Sequence, residues 1–289
     1  MGTLYLVATP IGNLEDLSPR ARRVLGEVAL VAAEDTRRTG QLLRHCGLKT
    51  NLISYWEHNK LSRLVEILAR LETGDVALVS DAGTPNLSDP GYELVRAVLR
   101  AGYTVTPIPG PSALLAALAA SGLPTDAFVY LGFLPRKAGE RQQLLRSVAA
   151  EPRTLVAFES PHRLLAALAD MEAELGDRPA AVARELTKLH EEIYRGPLSA
   201  ARAHFSAKEI LGEITLVVAG AALQPRAAWP RERVMAEVER RVAEGERLKD
   251  AARATASQAG WAARAVYDLA ARPAEGGPDT KPNATPDME

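Results

Sequence analysis

Three features of the 289-residue sequence predict an α/β architecture followed by a small helical module. Short apolar runs of four to six residues alternate with longer amphipathic stretches, the pattern of strands joined by helices in largely parallel sheets. A turn-rich break at Ser121-Gly122-Leu123-Pro124-Thr125 divides that pattern into two parts of similar size. After Ala219-Gly220 the strand signal stops and only helical periodicity remains. The predicted organisation is an α/β domain over 1–122, a second α/β domain over 123–224, a helix-turn-helix-like module over 228–272 and a disordered tail over 273–289.

Strands are expected at Thr3–Ala8, Ala29–Ala33, Val76–Ser80, Thr104–Ile108, Phe128–Gly132, Thr154–Phe158, Ala180–Ala183 and Ile214–Ala219. Ser18 followed by Pro19 marks a helix start, with the serine as cap and proline at the first helical position. Leu61, Leu64, Val65, Leu68 and Leu71 define one apolar helix face, and the stretches from Leu94, Leu114 and Leu164 read similarly. Residues 226–272 hold ten Lys/Arg against seven Asp/Glu. There, Leu248, Ala251 and Ala252, then Val266, Leu269 and Ala270, form apolar faces on either side of a Gly260-Trp261 turn. Arg247, Lys249, Arg253 and Arg264 fall outside those faces.

Composition narrows the function. Apolar residues make up 47% and charged residues 25%, ordinary for a soluble protein with an ample core. The single cysteine, Cys46, excludes a disulfide framework and a Cys-ligated metal cluster. A net charge of −1 argues against a wholly basic nucleic-acid coat but leaves room for a basic patch. The sequence opens without a charged-then-apolar leader and holds no apolar run of about eighteen residues, so the expected location is the cytoplasm, with no membrane partner. The dinucleotide fingerprint, the phosphate-binding P-loop, the H-E-x-x-H zinc motif and the G-x-S-x-G elbow are all absent.

Polar, glycine-rich clusters instead fall at predicted strand ends: Ala8 to Asn13, Glu34 to Arg38, Ser80 to Gly91 and Pro107 to Ser112. Together they would line a cleft with backbone amides, small side chains and carboxylates. That suits a neutral or zwitterionic ligand bearing ribose hydroxyls better than a triphosphate, with Asp81 as an acceptor. The second half puts cations at its strand ends: Phe133 to Lys137, Phe158 to Arg163 and Arg184 to Glu192. Three such ends facing one cleft could grip a phosphate backbone.

The strings ATPIGNLEDLSPRA, EDTR, SDAGTPNLSDPG, PIPGPSALLAAL, FLPRK, ESPHR and RELTKLHEE resemble the ribosomal RNA small-subunit methyltransferase I family, in order and at matching spacing over roughly residues 2–222. The resemblance implies a two-domain tetrapyrrole-methylase-like (class III methyltransferase) fold and S-adenosylmethionine as methyl donor. It implies a homodimer, and as substrate the 2′-hydroxyl of a cytidine (cytidine 1402) in 16S rRNA of the small ribosomal subunit. It also implies a small helix-turn-helix-like module near 230–272. Tyr55 to Lys60 departs from the family pattern at Trp56 and Lys60, while Glu57, His58 and Asn59 match. Trp56 would stack on a base if that segment meets RNA, or pack in a dimer contact.

By motif matching, Pro10, Ser80, Asp81, Ala82, Gly83, Pro111, Ser112, Ala113, Arg184, Glu185, Leu186, Ile214 and Thr215 would hold the donor. Arg37, Arg136, Lys137, His162, Arg163 and Lys188 would meet the RNA. Methyl transfer to a ribose oxygen is an in-line displacement that needs no metal. A positioned base would add about 10²–10⁴-fold. Glu34, Asp35, Glu185, Lys188 and Glu191 are the candidate catalytic residues, with His190 beside them, and the choice among them stays open. Two other readings are a small-molecule (tetrapyrrole-type) methyltransferase, which would have no use for the basic strand ends, and a non-enzymatic RNA-binding protein, which leaves the four ligand loops unexplained.

Overall fold

The computed structural model describes residues 2–56, 59–222 and 228–271. The described residues form two compact units, one running to Ala221 and the other starting at Ala222. Glu57, His58, the Lys60 side chain and the tail expected to be disordered lie outside the described residues.

The first unit contains two sheets. One comprises β1 (Thr3–Val7), β2 (Leu30–Ala33), β3 (Leu52–Ser54), β4 (Val76–Val79) and β5 (Thr104–Ile108) in the order β3-β2-β4-β1-β5, all parallel. Parallel neighbours require crossovers, supplied by α1 (Pro19–Glu27), α2 (Thr36–His45), α3 (Lys60–Thr73) and α4 (Tyr92–Arg100). Both faces are therefore covered, which is why the inner strands β2 (Leu-Val-Ala-Ala) and β4 (Val-Ala-Leu-Val) read as continuous apolar runs. Val7, Val31, Ala33 and Val79 pack under Val24 and Leu25 of α1 and Leu43 of α2. On the other face Leu4, Leu30, Ala32 and Leu78 pack under Ile67 and Leu71 of α3 and Leu94 and Val98 of α4. Ser18 caps α1 as expected, its Oγ accepting from the Ala21 N–H at 3.1 Å. On α3 the buried stripe is Leu64, Ile67, Leu68 and Leu71. Leu61 and Val65, expected on that face, are 70% and 73% exposed because at 3.6 residues per turn they fall on its flank.

The second sheet comprises β6 (Phe128–Phe133), β7 (Thr154–Glu159), β8 (Pro179–Arg184), β9 (Glu192–Pro197) and β10 (Ile214–Val218), ordered β6-β7-β10-β8-β9. Here the expectation of largely parallel pairing is corrected. Only β6 and β7 are parallel; β10 is antiparallel to β7 and β8, and β8 to β9. The short 185–191 connection makes β8 and β9 a hairpin, which only antiparallel strands permit. Helices α6 (Ala138–Ser147), α7 (Leu164–Leu175) and α8 (Leu198–Ser206) cover one face. The other face is covered by α5 (Ala113–Ala120), which follows directly from β5 of the first sheet. Leu114, Ala117 and Leu118 of α5 pack with Val156, Ala181, Ala183 and Val217 of the second sheet.

The second unit contains α9 (Arg231–Ala243), α10 (Leu248–Ala259) and α11 (Ala263–Ala271) around Val234, Val238, Ala251, Ala252, Ala256 and Val266. Gly260, left-handed at φ 70°, ends α10. Trp261 Nε1 donates to the Trp229 carbonyl at 2.9 Å and ties the turn to the residues before α9. No helix among the described residues is long and apolar enough to cross a membrane.

One ion pair anchors the helices over the second sheet. Arg141 of α6, 4% exposed, meets Asp170 of α7 at 2.5 Å, and Gln142 Nε2 donates to the other Asp170 oxygen at 2.9 Å. Removing one partner strands a buried charge, which typically costs about 3–5 kcal/mol. Urea unfolding of Asp170→Ala is expected to show a loss of that size. A loss under about 1 kcal/mol would mean that the pair does not hold this face together.

Candidate functional site

The loops at the carboxyl ends of β1, β4 and β5 are stitched into one wall. Thr9 and Gly83 exchange two backbone hydrogen bonds of 2.9 Å, and Thr84 Oγ1 donates to the Pro111 carbonyl at 3.2 Å. Gly83 has φ +80°, a left-handed conformation that a side chain would strain. Ser112 caps α5, its Oγ accepting from the Leu115 N–H at 3.4 Å. These loops border a cavity of about 370 Å³. It lies at strand carboxyl ends, where open α/β sheets place their ligands.

Carboxylates form the polar part of this wall. Glu34 follows β2, while Asp81 and Asp89 lie in the loop after β4; all three line the cavity, with Arg38. Asp81 accepts from the Asp35 N–H at 2.9 Å and pairs with Arg38 at 3.2 Å. The Asp81 N–H donates to Glu34 at 3.4 Å. Burial raises the Glu34 pKa above its ordinary value. Burial pushes Asp89 up to about 6, helped by the negative charges of Glu34 and Asp81 and opposed by a hydrogen bond from Ser80.

The opposite wall belongs to the second sheet. Tyr130, Phe133, Phe158, Leu186, Ile214 and Thr215 line it. The halves meet on both sides of the cavity. On one side Ser88 Oγ and the Tyr130 hydroxyl are 2.6 Å apart, joining the loop after β4 to β6. That loop holds Asn86 at φ 73° and Ser88 at φ 64°, left-handed conformations uncommon outside glycine. On the other side the Asn13 N–H donates to Thr187 Oγ1 at 3.1 Å. Gly12 lies so close that a β-carbon there would sit 2.4 Å from Lys188 Cγ.

Of the residues expected to hold a donor, Asp81, Ala82, Gly83, Ser112, Ala113, Leu186, Ile214 and Thr215 line the cavity. Pro10 and Ser80 line a smaller neighbouring hollow, and Pro111, Arg184 and Glu185 line neither. Among the candidate catalytic residues, Glu34 alone borders the main cavity. Asp35 caps α2 and is held far below the carboxylate range, chiefly by hydrogen bonds from Arg37. Burial pushes Glu185 up, but Lys188 at 2.7 Å and the Glu213 N–H outweigh it, so its pKa is lowered. Lys188 bridges Glu185 and Glu213, and Glu191 accepts from the Thr187 N–H at 2.6 Å.

The cations expected to meet RNA differ in how they are engaged. Arg163 bonds inward, to Glu159 at 2.6 Å and to the Leu134 carbonyl at 3.1 Å. Exposed Arg37 pairs with Asp35, and exposed Lys137 with Glu140. His162 and Arg136 are exposed. Trp56 is 45% exposed, and its backbone N–H donates to Asn59 Oδ1. Sequence reasoning passed over Asp89, Tyr130, Phe133 and Phe158. Asp89, Phe133 and Phe158 stand inside strand-end clusters visible in the sequence, whereas the approach of Tyr130 to Ser88 depends on tertiary packing.

The raised Asp89 pKa carries a sign for stability. Folding favours the protonated carboxyl, so stabilisation is present below about pH 4 and is lost as pH rises through about 6. Asp89→Asn removes the penalty. Thermal melts are expected to show the variant gaining on the parent as pH rises from 4 to 8, where the parent's carboxylate is ionised. A difference independent of pH would contradict the shifted carboxyl.

Residues 3–202 match the tetrapyrrole (corrin/porphyrin) methylase family. A protein of Synechocystis sp. named ribosomal RNA small subunit methyltransferase I is 51% identical over 93% of this chain and 97% of its own. One of the same name from Thermotoga maritima is 52% identical over 76% of this chain and 99% of its own. A solved cobalt precorrin-4 methyltransferase shares the fold at TM-score 0.58 and 18% identity, covering 75% of this chain and 94% of that one. The motifs, the two-sheet architecture and these likenesses agree: the chain belongs to the ribosomal RNA small subunit methyltransferase I family, within the tetrapyrrole methylase fold.

Proposed function

We propose that this protein transfers a methyl group from S-adenosylmethionine to the 2′-hydroxyl of a cytidine ribose in 16S rRNA of the small ribosomal subunit, at the cytidine (1402) that the family resemblance implies. The observation that carries the reading is the cavity between a carboxylate wall and an aromatic wall in a chain of this family. The same reading makes the working form a cytoplasmic homodimer.

The wall residues fit the donor by their chemistry. Ala82, Gly83 and Ala113 leave backbone open to close approach. Glu34 and Asp81 can accept from ribose hydroxyls or pair with an ammonium. Bound S-adenosylmethionine would supply an electrophilic methyl group on a sulfonium. The protein's part is to align the acceptor hydroxyl, which can be worth roughly 7–11 kcal/mol. It must also receive a proton as that hydroxyl reacts. Glu34 and Asp89 suit this role, because burial brings their pKa values closer to neutral than an ordinary carboxyl. Exposed Arg136 and Lys137 just beyond β6 support a grip on phosphate.

Unmethylated small subunits incubated with labelled donor, digested to nucleosides and weighed by mass spectrometry should carry the label on cytidine ribose. Label on a base would refute the reading. Replacing Arg136 and Lys137 together by Ala should flatten the salt dependence of subunit binding by roughly one to two logarithmic units per decade. Donor affinity should not change; a loss of donor affinity with an unaltered salt slope would assign this loop to the donor instead.

A further inference from the structure

The side-chain alternation of β6 is reversed at its end, and the reversal exposes an aromatic ring at the cavity. Phe128 and Tyr130 face the α5 side of the sheet, while Val129 and Leu131 pack with the core under α6, α7 and α8. Continued alternation would send Phe133 into that core and Leu134 towards the cavity. The β6–β7 register instead shifts between Tyr130 and Phe133, and Gly132 within the shift has φ +68°. This is a β-bulge, a device that re-aims side chains and recurs beside functional sites. Leu134 is consequently 1% exposed in the core, and Phe133 is 58% exposed and lines the cavity.

The ring is braced from beneath and behind. Phe133 and Tyr130 each meet Phe158 edge-on, with centroids 5.4 Å apart. Three successive carbonyls after Phe133 are held by two guanidinium groups. Arg163 takes that of Leu134 at 3.1 Å; Arg141 takes those of Pro135 and Arg136 at 3.3 and 3.5 Å. Arg163 is itself fixed by Glu159, whose side chain is fully buried, and Arg141 by Asp170. The ring is thus held in a rigid frame, exposed and at the cavity, which is the arrangement a flat ligand needs.

We infer that Phe133 is a stacking platform for the nucleobase of the nucleotide whose ribose is methylated, extruded from its neighbours into the cavity mouth. The inference rests on the proposed function and deepens it. A nucleobase offers the flat face that an exposed phenylalanine accepts, and stacking compensates for the unstacking that extrusion requires. Arg136, three residues on, is exposed and forms no ion pair among the described residues, and so is available to a flanking phosphate. Adenine of the donor is the competing occupant, because Leu186, Ile214 and Thr215 lie on the same wall, and the donor titration below separates the two.

The test compares Phe133→Ala, Phe133→Leu and Phe133→Trp with the parent, using unmethylated small subunits as substrate and calorimetric titration of S-adenosylmethionine. Exposure of the ring makes misfolding unexpected, and a thermal melt checks it. Phe133→Ala should raise KM for subunits about 5- to 150-fold, the range base–aromatic stacking supports. Phe133→Trp should restore it, Phe133→Leu should not, and donor affinity should hold throughout. Leucine rescuing as well as tryptophan, a fall in donor affinity, or parental kinetics in the alanine variant would each overturn the platform. A parent protein that methylates no ribose would refute the proposed function and the platform with it, a result distinct from these three.

Discussion

Packing of α5 against the second sheet is the contact on which the site depends. The helix leaves β5 through the Pro109-Gly110-Pro111-Ser112 turn, so it belongs by chain order to the first sheet. Its apolar residues nonetheless cover the face of the second sheet opposite α6, α7 and α8. Burying Leu114 and Leu118 contributes about 1.5–3 kcal/mol each, and the second sheet would otherwise expose Val156, Ala181 and Val217 to water. With α5 so placed, the loops after β1, β4 and β5 come to face the ends of β6, β7 and β10. The hydrogen bonds between Asn13 and Thr187 and between Ser88 and Tyr130 then close the two sides.

The two walls have different chemistry because they come from different sheets. The first-sheet wall is made of loops whose backbones bond one another, leaving small side chains and three carboxylates towards the cavity. Burial raises the Glu34 and Asp89 pKa values, and neighbouring carboxylate charges add to the shifts. The second-sheet wall is made of strand ends, with Tyr130, Phe133 and Phe158 clustered around one bulge. Cations there act partly as struts. Arg163 and Arg141 hold loop carbonyls, a structural use that leaves Arg136 for outside partners.

Much of this was legible in the sequence. Ser18-Pro19 announced α1, and the glycine-rich clusters marked the loops that form the first wall. What escaped has identifiable causes. The three residues of β3 are too few for a pattern, and β9 carries Glu192, Arg195, Gly196 and Pro197, edge-strand chemistry without an apolar run. Strand direction in the second sheet was hidden because both faces are covered, so parallel and antiparallel strands look equally apolar. Asp89 and Phe133 were visible as letters within recognised strings. Their importance came from burial among other carboxylates in one case and from a one-residue register shift in the other, and neither leaves a local sequence signal. Arg163 read as a surface cation because its partner Glu159 looked like any strand-end carboxylate until the fold buried it.

In the proposed function, one cavity receives the methyl donor against its carboxylate wall and the RNA against its aromatic wall. A crystal structure with S-adenosylhomocysteine bound tests it most directly. That product should contact Ala82, Gly83 and Ala113, with its hydroxyls or amino group near Glu34 or Asp81 and Phe133 left free. Product seated instead in the smaller hollow beside Thr9, Leu42 and His45, or stacked on Phe133, would contradict it.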